Sequence, residues 1–464
     1  MADFSTILQT PQIRAIVQEN ILERMFHDAL FPRLLFRGEA TPVLFPGHVG
    51  DSMVFTGRGL IKPKTGPLVP GTDPVPSDYQ REQWTATMQL YADSIDTNIL
   101  TSISAIVDLF LANAAQMGLS AGQSLNRVIR NRLYAAGLSG NTVTTTANAG
   151  PASTALPVAR LNGFTKARNP NLAGGSPVQF APVSSANPLA ITVGAATAAV
   201  VIGFTPAAPG DEVGPGTLTL QAGITWANRD RVVAADASAI QRVGGGATID
   251  ALTTANILTF ADIRSVVSRF RQNNVDPQPD KRYHLHLSPN AEAELSADVE
   301  FRQLNTALPD YYMYRDFAIG EILGCLIYRN SECPIADTVS GGPTASYDPQ
   351  DAFAGELFVG GVPTGAPVYH TLLVGQGAIY EYYQDLDALV TEAGITGRIG
   401  QAKVTNNGVE INVDRVQLVL RSPLDRLQHL VPVSYQFVGD WPTRTDATTG
   451  SAARFKRIGV IEHA

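Results

Sequence analysis

"FADIRSVVSRFRQNNVDPQPDKRYHLHLSP", from Phe260 to Pro289, opens with one periodicity and closes with another. Thr259 with Asp262 three residues on has the form of a capping box, and Phe260, Ile263, Val267 and Phe270 then recur at helical spacing. Arg264, Arg269 and Arg271 occupy the other faces, so the first half reads as one amphipathic helix. Asn273-Asn274, Pro277 and Pro279 end it. Tyr283, Leu285 and Leu287 then alternate with Arg282, His284 and His286 at the two-residue period of a strand. Ser288-Pro289 is placed to cap a further helix through Ala291 and Leu295. Helix, turn, strand, helix is a packing module of a mixed α/β domain.

His284 and His286 would share one strand face, roughly 7 Å apart at Cα. A third ligand could then complete a zinc site, giving a metal-dependent enzyme as one reading of the pair. The other histidines, at 27, 48, 370, 429 and 463, are scattered, and the reading preferred is a half-exposed sheet face. No zinc helix of the HExxH kind is present. Asp385 and Asp387 in "QDLDAL" read as a solvated face rather than a catalytic pair. The residues thus offer no catalytic site, no cofactor site and no metal site, and the expectation is a protein that is not an enzyme.

At 464 residues the chain should form two or three domains. Charged residues make up only 16%, against roughly 25% in a typical soluble domain. A monomer so poorly charged would show much neutral surface to water, which predicts burial against other chains. The net charge of −8 argues against a sequence-wide affinity for phosphate backbones. Cys325 and Cys333 make no disulfide framework and suit a reducing compartment. The N-terminus lacks the pattern of a signal peptide, and the most apolar helical stretch is too short to span a bilayer, so the expected product is intracellular and soluble, with no membrane.

Residues 1–40 read as a helical arm, with Ile13, Ile16, Val17, Ile21 and Met25 at helical spacing. Residues 41–94 read as a long two-stranded arm: "GDSMVFTGRG" goes out, "IKPKTGPLVPGTDPVPSD" forms an irregular tip, and "QWTATMQLY" returns. On the return, Trp84, Ala86, Met88 and Leu90 alternate against Thr85, Thr87 and Gln89. An isolated hairpin is barely stable in water, so it must lie on something else. Residues 95–139 predict a strut helix with Ile99, Ile103, Ile106 and Phe110 on one face, an irregularity at Gly118-Leu119-Ser120, and a resumption to Gly137. Residues 140–248 are nearly uncharged, with short β-like runs such as "LAITVG" and "GTLTLQA", and predict a small all-β insertion, a barrel among the forms open to it. Residues 249–400 continue as an α/β region. Over 401–464, Asn407-Gly408 marks a hairpin, "VPVSYQFVG" adds a strand, and "FKRIGVIEHA" reads as a polar tail.

In that order, the elements resemble the major capsid proteins of tailed bacteriophages, the Hong Kong 97-type fold. The resemblance is carried by the module at 260–289, by "AIGEILGCLIYRNSE", and by the closing run from "LRSPLDRLQHL" onward. It implies an α+β chain in which 1–40 is the N-terminal arm, 41–94 the E-loop, 95–139 the spine helix of the P-domain, 249–400 the A-domain, and 401–464 strands returning to the P-domain. Region 140–248 exceeds the minimal fold; by analogy it matches an extra surface domain of some coats, or a docking platform for a decoration protein. The function implied is a structural subunit that self-assembles, as hexamers and pentamers, into an icosahedral head around double-stranded DNA. The partners implied are further copies of itself, a portal, a scaffolding protein and DNA held non-specifically; the location is the virion, after assembly in the host cytoplasm. A non-viral nanocompartment shell of the same fold is the alternative. Some relatives cross-link an E-loop lysine to an asparagine, and Lys62 and Lys64 sit near this tip, but solvated charges that pair with a neighbour's carboxylates are the preferred reading. The expected subunit-interface residues are Arg58, Lys62, Lys64, Trp84, Met88 and Leu90.

Overall fold

The computed structural model describes residues 21–30, 35–46, 50–58, 64–76, 81–98, 106–168, 180–210, 212–235, 237–238, 240–306, 321–337, 346–347, 367–384, 398–399, 402–405, 408–413, 415–421, 430–443 and 457–464. In chain order the first elements are α1 (Ile21–Leu30), β1 (Ala40–Leu44), β2 (Ser52–Arg58), β3 (Arg81–Thr87), β4 (Gln89–Asn98) and α2 (Ile106–Gly137). Eight strands follow, β5 (Asn141–Val143), β6 (Asn148–Val158), β7 (Lys166–Arg168), β8 (Phe180–Pro182), β9 (Leu189–Val193), β10 (Thr197–Pro206), β11 (Gly216–Trp226) and β12 (Arg231–Ala234). Next come β13 (Ile240–Arg242), α3 (Phe260–Gln272), β14 (Tyr283–Leu287), α4 (Pro289–Ala297), α5 (Val299–Thr306), β15 (Glu321–Ile322), β16 (Cys325–Arg329), β17 (Ile335–Asp337) and β18 (Ser346–Tyr347). The last are β19 (Pro367–Val374), β20 (Ile379–Tyr383), β21 (Arg398–Ile399), β22 (Ala402–Thr405), β23 (Gly408–Val413), β24 (Val416–Arg421), β25 (Leu430–Asp440) and β26 (Ile458–His463). They fall into two compact units. One comprises Met1–Met53, Thr85–Ile129 and Tyr380–Pro442, the other Val54–Trp84, Arg130–Ile379 and Thr443–Ala464.

The first unit is built on a sheet ordered β1-β20-β25-β24-β23-β22-β21, antiparallel from β20 to β21, with β4 running antiparallel along β25 from Asn98 opposite Leu430 to Gln89 opposite Gly439. Thr405 stands opposite Gly408, so the Asn407-Gly408 signal does mark a hairpin. Trp441 is fully buried and stacks on Phe437 at 5.0 Å and against Tyr91 at 5.3 Å. Beside this aromatic group Arg37 grips Glu381 with two bonds, of 2.9 and 2.7 Å, and Arg415 reaches the same carboxylate at 3.2 Å.

Helix α2 runs unbroken through Gly118, where the sequence predicts an irregularity. The glycine marks a crossing instead. A Cβ there would lie 2.8 Å from the Phe26 carbonyl oxygen and 3.0 Å from the Ala29 Cβ, so the absence of a side chain lets α1 sit against α2. In an exposed helix Gly→Ala gains roughly 1 kcal/mol; here the sign should reverse. Gly118→Ala is expected to lower stability by about 1–3 kcal/mol through overpacking. Urea denaturation checks it, and an unchanged or raised midpoint would show that the helices do not close on this residue. Ile99 and Ile103 lie outside the described residues, and the described helix of 32 residues spans about 48 Å.

In the second unit the region after α2 folds as an all-β body. Its sheet is ordered β5-β12-β9-β10-β11-β6 with every neighbouring pair antiparallel. A bridge between Thr144 and Val158, flanked by Ala159 N–H to Val143 O (3.0 Å) and Thr145 N–H to Pro157 O (3.2 Å), joins the two ends and closes a six-stranded barrel. Strict alternation fills it: Leu189, Ile191 and Val193 of β9 point in, while Ala190 and Thr192 point out. Closure removes the unpaired edges that an uncharged sheet would otherwise expose.

The remaining sheet of this unit is mixed, ordered β13-β26-β19-β14-β16-β15. Helix α3 covers it with Phe260, Ile263, Val266, Val267 and Phe270, which join Tyr283, Leu285, Leu287 and Ile461 in one core. The capping box forms, with the Asp262 carboxylate accepting from the Thr259 N–H (3.3 Å) and hydroxyl (2.6 Å). Ser288 Oγ accepts the Ala291 N–H at the start of α4. Two expectations fail. Strand β14 is buried on both faces, not half-exposed, because β16 and β19 flank it and helices pack on the sheet. The "polar tail" is β26, buried along its whole length between β13 and β19. Gly459 of that strand lets α3 approach; a Cβ there would lie 2.8 Å from Val266 Cγ1.

Candidate assembly surface and buried polar centre

Strands β2 and β3 form a two-stranded sheet that pairs with no other strand among the described residues. Its own packing is slight. Phe55 and Trp84 stack at 6.5 Å, and Gln83 Nε2 donates to Thr56 Oγ1 at 3.1 Å. The described tip, residues 64–76, has no buried residue. It is shaped by Thr72, whose N–H (3.2 Å) and hydroxyl (2.7 Å) both donate to Val69 O, and by Lys64, whose Nζ donates to Val75 O. On this tip three large apolar side chains stand in water: Leu68 is 60% exposed, Val69 65% and Val75 75%. Exposed apolar groups clustered on one short segment mark an interaction surface rather than ordinary scatter.

The sequence-predicted interface residues divide. Lys62 and the side chain of Arg58 lie outside the described residues. Lys64 is exposed but is tied back to Val75. Trp84 is buried, with the Phe55 ring beside it, so it braces the arm and offers little surface. Met88 is half-buried and Leu90 is 64% exposed. Trp84, Met88 and Leu90, which the alternation puts on one face, therefore differ in exposure. The strand breaks at Met88, whose N–H goes to Asp51 O (2.8 Å), while the Thr87 N–H goes to the Asp440 carboxylate (3.0 Å). Beyond the break the phase inverts, and Tyr91 instead of Leu90 meets Trp441. Leu68, Val69 and Val75 escaped the sequence reading because an irregular Pro/Gly tip has no periodicity to assign them a face.

His284 and His286 flank the Tyr328 ring, at 5.0 and 5.3 Å. His284 Nε2 lies 3.1 Å from Asp280 Oδ2, and the fully buried His286 places Nδ1 3.4 Å from Asn330 Nδ2. Burial would raise the Asp280 carboxyl, but the Arg282 N–H and His284 hold it below its ordinary range. Among the described residues no three His, Cys, Asp or Glu side chains gather as a metal set. Asp385 and Asp387 lie outside the described residues. Cys325 and Cys333 are free and buried, and burial pushes the Cys333 thiol up to about 12. No described helix is long and apolar enough to cross a membrane.

A denser polar centre lies on the strand that reads as a tail. Glu462 accepts from Arg242 Nε at 2.6 Å and faces His370 Nε2 at 3.6 Å. His463 Nδ1 lies 2.7 Å from Glu294 Oε2, and its Nε2 is 3.1 Å from Thr371 Oγ1. His370 Nδ1 is 3.2 Å from Pro334 O, and Tyr134 donates its hydroxyl to His370 O at 2.9 Å. Burial alone would raise the Glu462 carboxyl; Arg242, His370 and Arg160 reverse that and hold it at about 2. This is an ion-paired clasp on a core strand.

No protein-family model matches the chain, and no curated protein matches it. Among solved structures, the chain is similar to the capsid of Ralstonia phage GP4, at 13% identity and a TM-score of 0.45, over 91% of this chain and 86% of that one. It is similar to the Cyanophage Pam1 capsid at 12% identity and a TM-score of 0.44, over 90% and 86%. It is also similar to the mature capsid of bacteriophage PhiM1, at 8% identity and a TM-score of 0.44, over 93% and 87%.

Proposed function

We propose that this chain is a structural shell subunit, a major capsid protein that assembles in many copies into an icosahedral phage head around double-stranded DNA. The observation that carries the reading is the arm formed by β2 and β3: two strands with no further sheet partner among the described residues and an apolar tip in water. A two-stranded ribbon is marginal alone, and a neighbouring copy would supply the surface it lacks. The order of arm, hairpin, 32-residue helix, β insertion and α/β sheet supports the same reading through the resemblance carried by the sequence. A charged fraction of 16% suits a surface largely covered by other subunits.

In this reading residues 41–94 are the E-loop, α2 is the spine, and the barrel is an added domain available to a decoration protein. Leu68, Val69 and Val75 join Leu90, Met88, Lys64, Lys62 and Arg58 as the contact set, with Trp84 as their brace. A portal and a scaffolding protein complete the partners, the packaged DNA is held without sequence preference, and assembly takes place in the host cytoplasm. Weak contacts repeated over a closed shell add through avidity. Negative-stain microscopy and velocity sedimentation of the purified chain test this: shells, or rings of five and six subunits, are expected. A compact monomer at micromolar concentration, with residues 64–76 resistant to protease, would overturn it.

A further inference from the structure

The shell reading counts Lys64 as one exposed charge among the contact residues, but its bond within the chain gives it a second task. Lys64 Nζ donates to Val75 O, eleven positions along the chain, and so closes residues 64–75 into a loop. Inside the loop, Val69-Pro70-Gly71-Thr72 makes a turn in which the Thr72 N–H (3.2 Å) and hydroxyl (2.7 Å) both donate to Val69 O. Proline second and glycine third, with Gly71 at φ 88°, is the pairing that a type II turn favours. Pro67, Pro70, Pro74 and Pro76 fix their own φ and turn Gly66, Val69, Asp73 and Val75, which precede them, away from helical backbone. The two carbonyls captured by these donors belong to Val69 and Val75, whose side chains are 65% and 75% exposed. The bonds therefore fix the backbone that carries two of the tip's three exposed apolar groups. No residue from 64 to 76 is buried, so the loop takes this form from its own bonds and prolines instead of from a core.

We propose that Lys64 is a positioning residue, which clips residues 64–76 into a preformed docking loop so that a neighbouring copy meets Leu68, Val69 and Val75 already arranged. The inference rests on the shell reading, and it assigns the Lys64 ammonium to its own chain in place of a neighbour's carboxylate. A disordered segment loses its conformational entropy on docking, whereas a loop ordered beforehand has already lost most of it, so less of the contact energy is offset.

Two measurements on the full chain test this. In the unassembled subunit, hydrogen exchange at the Thr72 amide, read by mass spectrometry after millisecond labelling, should quicken about two- to tenfold in Lys64→Met, the range for one lost hydrogen bond. Lys64→Arg keeps a cationic donor and should restore the parental rate. Removing a cation by itself slows base-catalysed exchange, so the sign separates an opened clip from a change of charge. In velocity sedimentation, the concentration at which shells appear should rise in Lys64→Met by at least the same factor, because every subunit repeats the loss. Gly71→Ala should act alike with no change of charge: nothing lies within 4 Å of the added Cβ, so only the left-handed backbone of the turn is strained. Unchanged Thr72 exchange in Lys64→Met would overturn the inference, and if assembly weakened all the same, Lys64 would belong to a contact with a neighbour's carboxylate. Faster exchange with parental assembly would overturn it too. A parent that forms no shells would sink the shell reading and the docking role with it, while the exchange ratio would still tell whether the clip exists.

Discussion

Glu462→Ala should destabilise the chain by about 3–5 kcal/mol at neutral pH, the range for removing one partner of a buried ion pair. The carboxylate is almost fully enclosed, and its loss strands Arg242 on the adjacent strand β13 and removes the charge that opposes His370 and Arg160. The pH dependence identifies the cause. In the folded chain this carboxyl sits at about 2, against an ordinary 4.5. A depressed carboxyl stabilises above its unfolded value and loses that contribution as the pH falls through its folded value, so the window runs from about 4.5 down to about 2. The displacement corresponds to roughly 3 kcal/mol. Denaturant unfolding of both proteins at pH 7 and again near pH 2.5 reads it: the parent should lose more stability than Glu462→Ala on acidification, so the gap between them narrows. A constant gap, or a loss below about 1 kcal/mol at pH 7, would mean that the clasp contributes packing and little charge.

Much of the fold is legible locally. In the stretch 259–297 the capping box at Thr259 and Asp262, the helical period of Phe260 to Phe270, the alternation of β14 and the Ser288 cap all agree with the tertiary result, because each signal is completed within a few residues. The barrel runs declare themselves for the same reason: alternation such as Leu189, Ile191, Val193 is itself the pattern a closed sheet buries. What failed depends on partners far along the chain. Glu462 and His463 look like tail polarity in any short window, since their partners Arg242 and Glu294 belong to other segments. Gly118 reads as a helix breaker until α1 is placed on it. The inversion at Met88 is set by Asp51 and Asp440, one before the hairpin and one near the end of the last strand of the first unit's sheet. The exposed apolar side chains of the tip could not be assigned from the sequence: periodicity says which side chains share a face, and an irregular tip such as 64–76 has none.

The tip itself gives the larger functional effect. Converting Leu68, Val69 and Val75 together to aspartate should leave the subunit folded and abolish its assembly. All three are more than half exposed and touch no core, so each change should move the stability of the isolated chain by no more than about 0.5 kcal/mol. Covered by a neighbouring copy, each apolar side chain would contribute roughly 1.5–3 kcal/mol, and each aspartate in its place would bury an uncompensated charge. In the proposed shell every subunit repeats the loss, and closure multiplies it through the same avidity that would otherwise hold the shell together. Far-ultraviolet circular dichroism and thermal melting should therefore match the parent, while velocity sedimentation shows free subunits in place of shells. Leu90→Asp, one exposed position on β4, serves as the milder companion, expected to reduce shell yield without eliminating it. Shells formed at the parental yield by the triple variant would mean that the arm finds its support elsewhere, and the assembly surface would have to be sought on another face of the chain.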